Sequence, residues 1–185
     1  MNTTNSNLLQ PLTIATAPDS SKPVLEGIQK AFGFIPNLMA TFANSPEVLK
    51  GYLALDAEWE KTAFTPPERQ MVLITASLEN GCSYCLAAHC TIAKGFMGVP
   101  AEVVAAIRTR KATGDTKVDA LVALVRELVS QRGHAQPATI ERFLAAGYSK
   151  PQVMELLLGI ALKTISNYLD HLNPAPLDAA FAAEK

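Results

Sequence analysis

Three short stretches constrain the whole chain: Ser45-Pro46-Glu47, Thr65-Pro66-Pro67-Glu68 and Ser149-Lys150-Pro151-Gln152. Each sets a hydroxyl residue before a proline, with an acid or an amide close behind. A hydroxyl at the N-cap accepts from the open N–H groups of a helix start, and proline suits the first turn because it has no N–H to leave unpaired. Glu68 stands three residues after Thr65, where it completes a capping box. Such starts, with Gly or Asn closing the apolar runs that follow, dictate helices joined by short connections. The period-two alternation of a half-buried strand is absent, and Ala and Leu dominate, so no strand competes. The fold class expected is all-α, a bundle of about eight helices.

Residues 1–22 read as an irregular arm rich in Asn, Thr, Ser and Pro, and residues 23–185 as a single helical domain. Residues 24–34 suggest a short helix closed near Gly33, and Pro36 opens another. Ser45 caps a helix running to about Lys61. The run 68–79 is apolar at 71–74, 76 and 78, the pattern of a buried helix. Asn80-Gly81 ends it, since both residues tolerate the left-handed conformation of a C-cap. Cys82 therefore starts the next helix, ended by Gly95. Later helices are expected from Ala101 to a stop at Gly114, from Asp115 or Lys117 to Gln131, from Ala138 to Ala146, and from Ser149 to Asn173-Pro174.

The second constraint is chemical. All three cysteines lie in one stretch, Asn80-Gly81-Cys82-Ser83-Tyr84-Cys85-Leu86-Ala87-Ala88-His89-Cys90. Residues three, four and seven apart share a helix face, so Cys82, Cys85 and His89 form one stripe, with Cys90 turned away from it. A thiol attacks as thiolate, and three features here favour that form. The helix start after Gly81 directs N–H groups at Cys82 and Cys85. His89 can accept the Cys85 proton or, protonated, stabilise its thiolate. The second cysteine supplies an S–H···S contact and a partner for a disulfide. Two competing readings are buried, inert cysteines and a zinc site built from Cys82, Cys85, His89 and Cys90. One helix cannot wrap four ligands around an ion, and His134 and His171 stand apart with no second C-x-x-C, so no metal is expected. Cys90 reads as a packed small residue. Glu68 is accounted for by its capping role. Glu79, an acid at a helix C-terminus where the dipole disfavours it, lies three residues before Cys82 and is a candidate for the site.

A hydrophobic fraction of 49% with 18% charged residues is apolar for so small a chain, which points to a homo-oligomer. A net charge of -1 gives no reason to expect nucleic acid or an anionic membrane as partner. No apolar run is long enough for a membrane span, and the polar first residues do not resemble a signal peptide. Cysteines clustered this closely staple no distant segments, so a reducing cytoplasm is the expected compartment. No flavin, haem or nicotinamide motif is visible, and no cofactor is expected.

The segment Leu78 to His89 resembles the C-x-x-C-x-x-x-H core of the alkylhydroperoxidase D and carboxymuconolactone decarboxylase superfamily. Gly33-Phe34-Ile35-Pro36-Asn37, Pro67-Glu68-Arg69-Gln70 and Asn167-Tyr168-Leu169-Asp170-His171 are similar to its uncharacterised peroxidase-related branch. The resemblance implies a helical fold assembled as trimers or hexamers, and reduction of organic hydroperoxides with a dithiol reductant of thioredoxin or lipoyl type. It implies that Cys85 attacks the peroxide, that Cys82 resolves the sulfenic acid, and that His89 belongs to a proton relay with a glutamate. The chain departs from the pattern in two places. The relay glutamate's position is Gln70, so Glu68 or Glu79 must substitute or the relay is weaker. Ser83 and Tyr84 replace the family's extra histidine between the cysteines. The decarboxylase branch does not use the cysteine pair, so the intact pair argues against that activity. The expected function is a thiol-dependent peroxidase in an antioxidant role with Cys85, Cys82, His89, Glu79 and Glu68 as catalytic candidates. The alternatives are a non-catalytic disulfide redox sensor and a helical oligomeric binding subunit.

Overall fold

The structure, a computed structural model, describes residues 8–185. Nine α-helices follow one another among these residues: α1 Lys22–Phe32, α2 Asn37–Phe42, α3 Pro46–Trp59, α4 Pro66–Asn80, α5 Ser83–Gly95, α6 Ala101–Arg108, α7 Thr116–Ser130, α8 Pro137–Ala145 and α9 Lys150–Leu172. A single 3-10 helix, Ala179–Glu184, ends the chain, and no strand occurs among the described residues. The all-α expectation stands.

The helix starts use the devices that the sequence displays. Ser45 Oγ accepts from Val48 N, and Thr65 and Ser149 each form a complete capping box with Glu68 and Gln152. Gly81 closes α4 at φ 75°, a left-handed conformation that puts Cys82 directly at the N-cap of α5. Two expectations need correction, and one element was not expected. Helix α6 stops at Arg108, six residues short of Gly114, because Arg110 itself takes a left-handed φ of 55°. Helix α8 starts at Pro137, which serves as its first residue. The 3-10 helix carried no apolar periodicity strong enough to be read. The irregular arm expected over residues 1–22 lies outside the described residues at positions 1–7. Residues 8–21 form turns and bends, and α1 begins at Lys22.

Helix α4 is the axis of the bundle. Residues 68–77 are all buried, so it is covered on every side, chiefly by α5, α7 and α9. Gly159 lets α9 come in closely: a Cβ there would meet Trp59 and Val72 at 3.1 Å. Trp59, Phe64, Tyr148 and Phe143 form a continuous aromatic row beneath it. The segment after α9 returns over α5, where the Tyr84 hydroxyl donates to Asp178 and Phe181 packs edge-on against the Tyr84 ring. Glu184 anchors its end on Lys94 and Arg108. No helix among the described residues is long and apolar enough to cross a membrane.

Candidate active site

Cys82 takes the place that a Ser or Asp oxygen occupies at most helix starts: its sulfur accepts from Cys85 N at 3.3 Å. That bond folds the Cys82 side chain over the first turn of α5, with Cys85 at the third helical position and His89 one turn further. The stripe read from the sequence is present, but its members have different surroundings. Cys85 and His89 line a cavity of about 270 Å³, whereas Cys82 sits behind them against α9. The cavity wall is apolar, drawn from α1, α2, α3 and α5 with Phe181 of the 3-10 helix, and Asp56 and Glu60 supply acids on one side. Burial, then repulsion from Glu60, raises the Asp56 pKa above its ordinary value.

The charged group of the site comes from a residue not singled out in the sequence. Lys163 on α9 is 1% exposed, yet its ammonium reaches the cavity, 2.6 Å from His89 Nε2 and 3.5 Å from the Tyr52 hydroxyl. His89 Nδ1 lies 3.0 Å from Gln70 Oε1. An amide oxygen only accepts, so the imidazole proton sits on Nδ1, and Nε2 keeps a lone pair for the Lys163 N–H. Burial and the adjoining ammonium hold the His89 pKa well below 6.5, so the ring is neutral. Gln70, an uncharged amide, thus orients the histidine without charging it. Burial opposes the charge on Lys163, but Tyr52 and Cys85 outweigh it and leave the ammonium more firmly protonated than an ordinary lysine.

The two thiols are driven apart. The Cys85 thiol is lowered to about 6: a hydrogen bond from Cys82 stabilises its thiolate against burial, helped by the Lys163 charge and by Ser166 and Asn167. Ser166 Oγ lies 3.7 Å from the sulfur. Cys82 is pushed far above the ordinary thiol value by that same hydrogen bond to Cys85, by burial and by the Cys85 charge, with Asp170 adding to it. Its sulfur also lies 3.3 Å from Asp170 Oδ2, a second acceptor within reach of the same S–H. The pair therefore holds one thiolate, facing the cavity, and one thiol, facing the protein interior. Its N-cap and third-position spacing puts the sulfurs within reach of a disulfide.

The structure separates the two glutamates from this cluster. Glu68 binds Thr65, Tyr148 and Lys117, all in the capping region of α4. Glu79 is held by Arg110 and Arg126, which answers the unfavourable helix terminus with two cations. Neither takes part in the hydrogen bonds linking Gln70, His89, Lys163 and the cysteines. Cys90 packs in a separate apolar cluster with Met71, Ile74 and Val99, and burial raises its pKa to about 11. Among the described residues no three of His, Cys, Asp and Glu converge as metal ligands do. Lys163, Ser166 and Asp170 were the residues missed. They share the buried face of α9 at helical spacing, and a lysine on that face inside Leu156–Ile165 was the available signal.

Residues 46–127 match the carboxymuconolactone decarboxylase family model. Among curated proteins no significant match is found. Among solved structures, the chain is similar to an uncharacterised peroxidase-related protein with an alkylhydroperoxidase AhpD core from Ralstonia eutropha, at 22% identity and a TM-score of 0.83, over 92% of each chain. It is similar to a peroxidase-related protein from Silicibacter sp. at 18% identity and a TM-score of 0.81, over 97% of each. A cysteine-to-alanine variant of the debrominase Bmp8 in complex with 2,3,4-tribromopyrrole superposes on all of this chain and 96% of its own, at 21% identity and a TM-score of 0.80. At these identities the likeness is one of fold. The family model thus covers residues 46–127, and over nearly the whole chain the fold is that of proteins with an alkylhydroperoxidase AhpD core.

Proposed function

We propose that this protein is a thiol-dependent peroxidase that reduces organic hydroperoxides in the cavity above Cys85. The observation that carries the reading is a Cys85 thiol lowered to about 6 at an apolar cavity wall, with the buried Lys163 ammonium beside it. The Cys85 thiolate attacks the terminal peroxide oxygen, the O–O bond breaks, and the product is a sulfenic acid with an alkoxide leaving group. His89 is neutral, so Lys163 is the group in the cavity with a proton to give to that alkoxide. Cys82 then displaces the hydroxyl of the sulfenic acid and closes the disulfide, and an external dithiol of thioredoxin or lipoyl type reopens it. Cys85 and Cys82 keep the roles implied by the resemblance. His89 orients the ammonium and is not the proton carrier, and neither Glu68 nor Glu79 has a part.

The test is hydroperoxide consumption with a dithiol donor by wild type, Cys85→Ser and Cys82→Ser. Turnover lost in both variants, with one equivalent of peroxide still consumed by Cys82→Ser, is the expected result; full turnover by Cys85→Ser would overturn the reading. Stoichiometric disulfide formation without turnover would identify a redox sensor instead. A second reading is favoured by the apolar cavity together with the full-length likeness to a debrominase: two-electron replacement of an aryl halogen by hydrogen, with the same disulfide as product. Release of bromide from tribromopyrrole by the reduced protein measures it.

The reading includes a homo-oligomer. Met154, Leu157, Ile165, Tyr168 and Leu172 are exposed and recur at helical spacing along the outer face of α9. A second copy of the chain, in a trimer or hexamer, is the proposed cover. Three free, unpaired cysteines suit a reducing cytoplasm, the compartment we propose.

A further inference from the structure

Asp170 is 7% exposed, and among the described residues no cation pairs with it. A buried carboxylate without a counter-charge is costly, and its position at a reactive group is the usual reason for keeping one. One oxygen is fixed by Ala175 N at 3.0 Å; the other lies 3.3 Å from Cys82 Sγ, on the side away from the cavity. We propose that Asp170 is the base that takes the Cys82 proton when the disulfide forms. The proposal rests on the reading of Cys85 as the thiol that the peroxide oxidises.

In the reduced protein the Cys85 thiolate keeps the proton on Cys82, both through their hydrogen bond and through its charge. Oxidation of Cys85 to an uncharged sulfenic acid removes both influences at once. The Cys82 S–H then has one strong acceptor in line, Asp170 Oδ2. The S–H bond breaks toward that oxygen, and the freed electron pair forms the S–S bond. The S–O bond of the sulfenic acid breaks, and the departing hydroxide with the displaced proton makes one water. Both sulfurs end oxidised, by the two electrons that the hydroperoxide already accepted. The thiolate that forms at Cys82 is stabilised from the start, because Cys85 N already donates to its sulfur. The two roles are thereby ordered: the Cys85 thiolate holds Cys82 protonated until it has itself reacted, and Asp170 accepts the proton afterwards.

The experiment separates the two chemical steps in a single turnover of the full-length protein. Asp170→Asn keeps an oxygen for Ala175 N and loses only the basicity. The expected result is a burst of one equivalent of hydroperoxide consumed at the wild-type rate. Disulfide formation, read as loss of alkylatable thiols, then slows about 100-fold or more, and dimedone traps a sulfenic acid at Cys85. Disulfide formation at the wild-type rate after a normal burst would overturn the role of Asp170 and leave the peroxidase standing. No burst in wild type would overturn the peroxidase and this role with it. If Asp170→Asn does not fold, wild type decides: the proposal expects the disulfide step to slow in D2O while the burst does not, and equal rates in both solvents would refute it.

Discussion

Replacing Lys163 by methionine removes the buried cation from the cavity wall while keeping most of the side-chain volume. That charge shares the cavity wall with Cys85 and helps to hold the thiol at about 6. A buried unit charge on the same cavity wall contributes about 2–3 kcal/mol at an effective dielectric near 20. That converts to about 1.5–2 pH units, so the Lys163→Met thiol should titrate near ~8. At pH 7 the thiolate fraction falls from about nine-tenths to about one-tenth at that value. The peroxide rate at pH 7 is a poor gauge of this change, because a more basic thiolate is intrinsically more nucleophilic, with a Brønsted slope of about 0.4–0.5. Two units of basicity then restore about six- to tenfold of the loss. The measurement is therefore the midpoint, taken from thiolate absorbance and from alkylation rate against pH, in a Cys82→Ser, Cys90→Ser background with and without Lys163→Met. That background loses the Cys82 S–H, so both midpoints start higher, and the difference between them isolates the lysine. A midpoint unmoved by Lys163→Met, in a variant with a wild-type melting profile, would show that the helix start and Ser166 alone lower the thiol and would refute the assignment.

Gln70→Glu puts a carboxylate against His89 and within the field of Lys163; the Cys85 midpoint should rise by about one unit, opposite to what a restored relay would need at neutral pH. Because Cys85 is more acidic folded than unfolded, its ionisation stabilises the protein above the unfolded thiol value, and that stability is lost as pH falls through about 6. Denaturant titrations at pH 6 and 9 under reducing conditions should show wild type gaining on Cys85→Ser with rising pH, by ~4 kcal/mol at most. Leu157→Glu on the exposed face of α9 should lower the mass seen by light scattering to that of one chain; an unchanged oligomer would place the interface elsewhere. Cys90→Ala should leave peroxide turnover intact and cost about 1 kcal/mol of stability from the small void between Met71 and Val99.

What the sequence discloses about this protein follows from how local the cause is. Capping is local, so Thr65, Ser149 and the Asn80-Gly81 stop were legible residue by residue, and with them the place of Cys82 at a helix start. The stripe of Cys82, Cys85 and His89 was legible for the same reason, since one helix carries all three. Differences between the cysteines were not, because they are made by α9, some eighty residues further on: Ser166 and Lys163 face Cys85, and Asp170 faces Cys82. Glu79, a candidate site acid, is drawn by tertiary contacts to other partners. Its unfavourable position at the end of α4 was real, but Arg110 and Arg126 come from α6's exit and α7 to answer it. Glu68 shows the opposite case: its local capping role was sufficient, and the structure adds only Tyr148 and Lys117 to it.

The departure at Gln70 and the lysine at 163 are best understood as one arrangement. A glutamate at position 70 would accept from His89 Nδ1 as the glutamine does, but as an anion it would favour the imidazolium and offset the Lys163 charge. With glutamine there, the histidine stays neutral and can accept from the ammonium through Nε2. The ammonium then has no carboxylate to neutralise it among the groups that touch it, and the anion it stabilises is the Cys85 thiolate. In the proposed cycle the proton for the leaving alkoxide comes from the same nitrogen, so that one buried cation would supply both the acidity of the thiol and the proton for the product. The other requirement of the proposed cycle, a base for Cys82, would be met by Asp170, which makes no ion pair with that cation. Placing the positive charge on the cavity side and the negative charge behind is what allows two cysteines three residues apart to differ in ionisation by enough to take different roles.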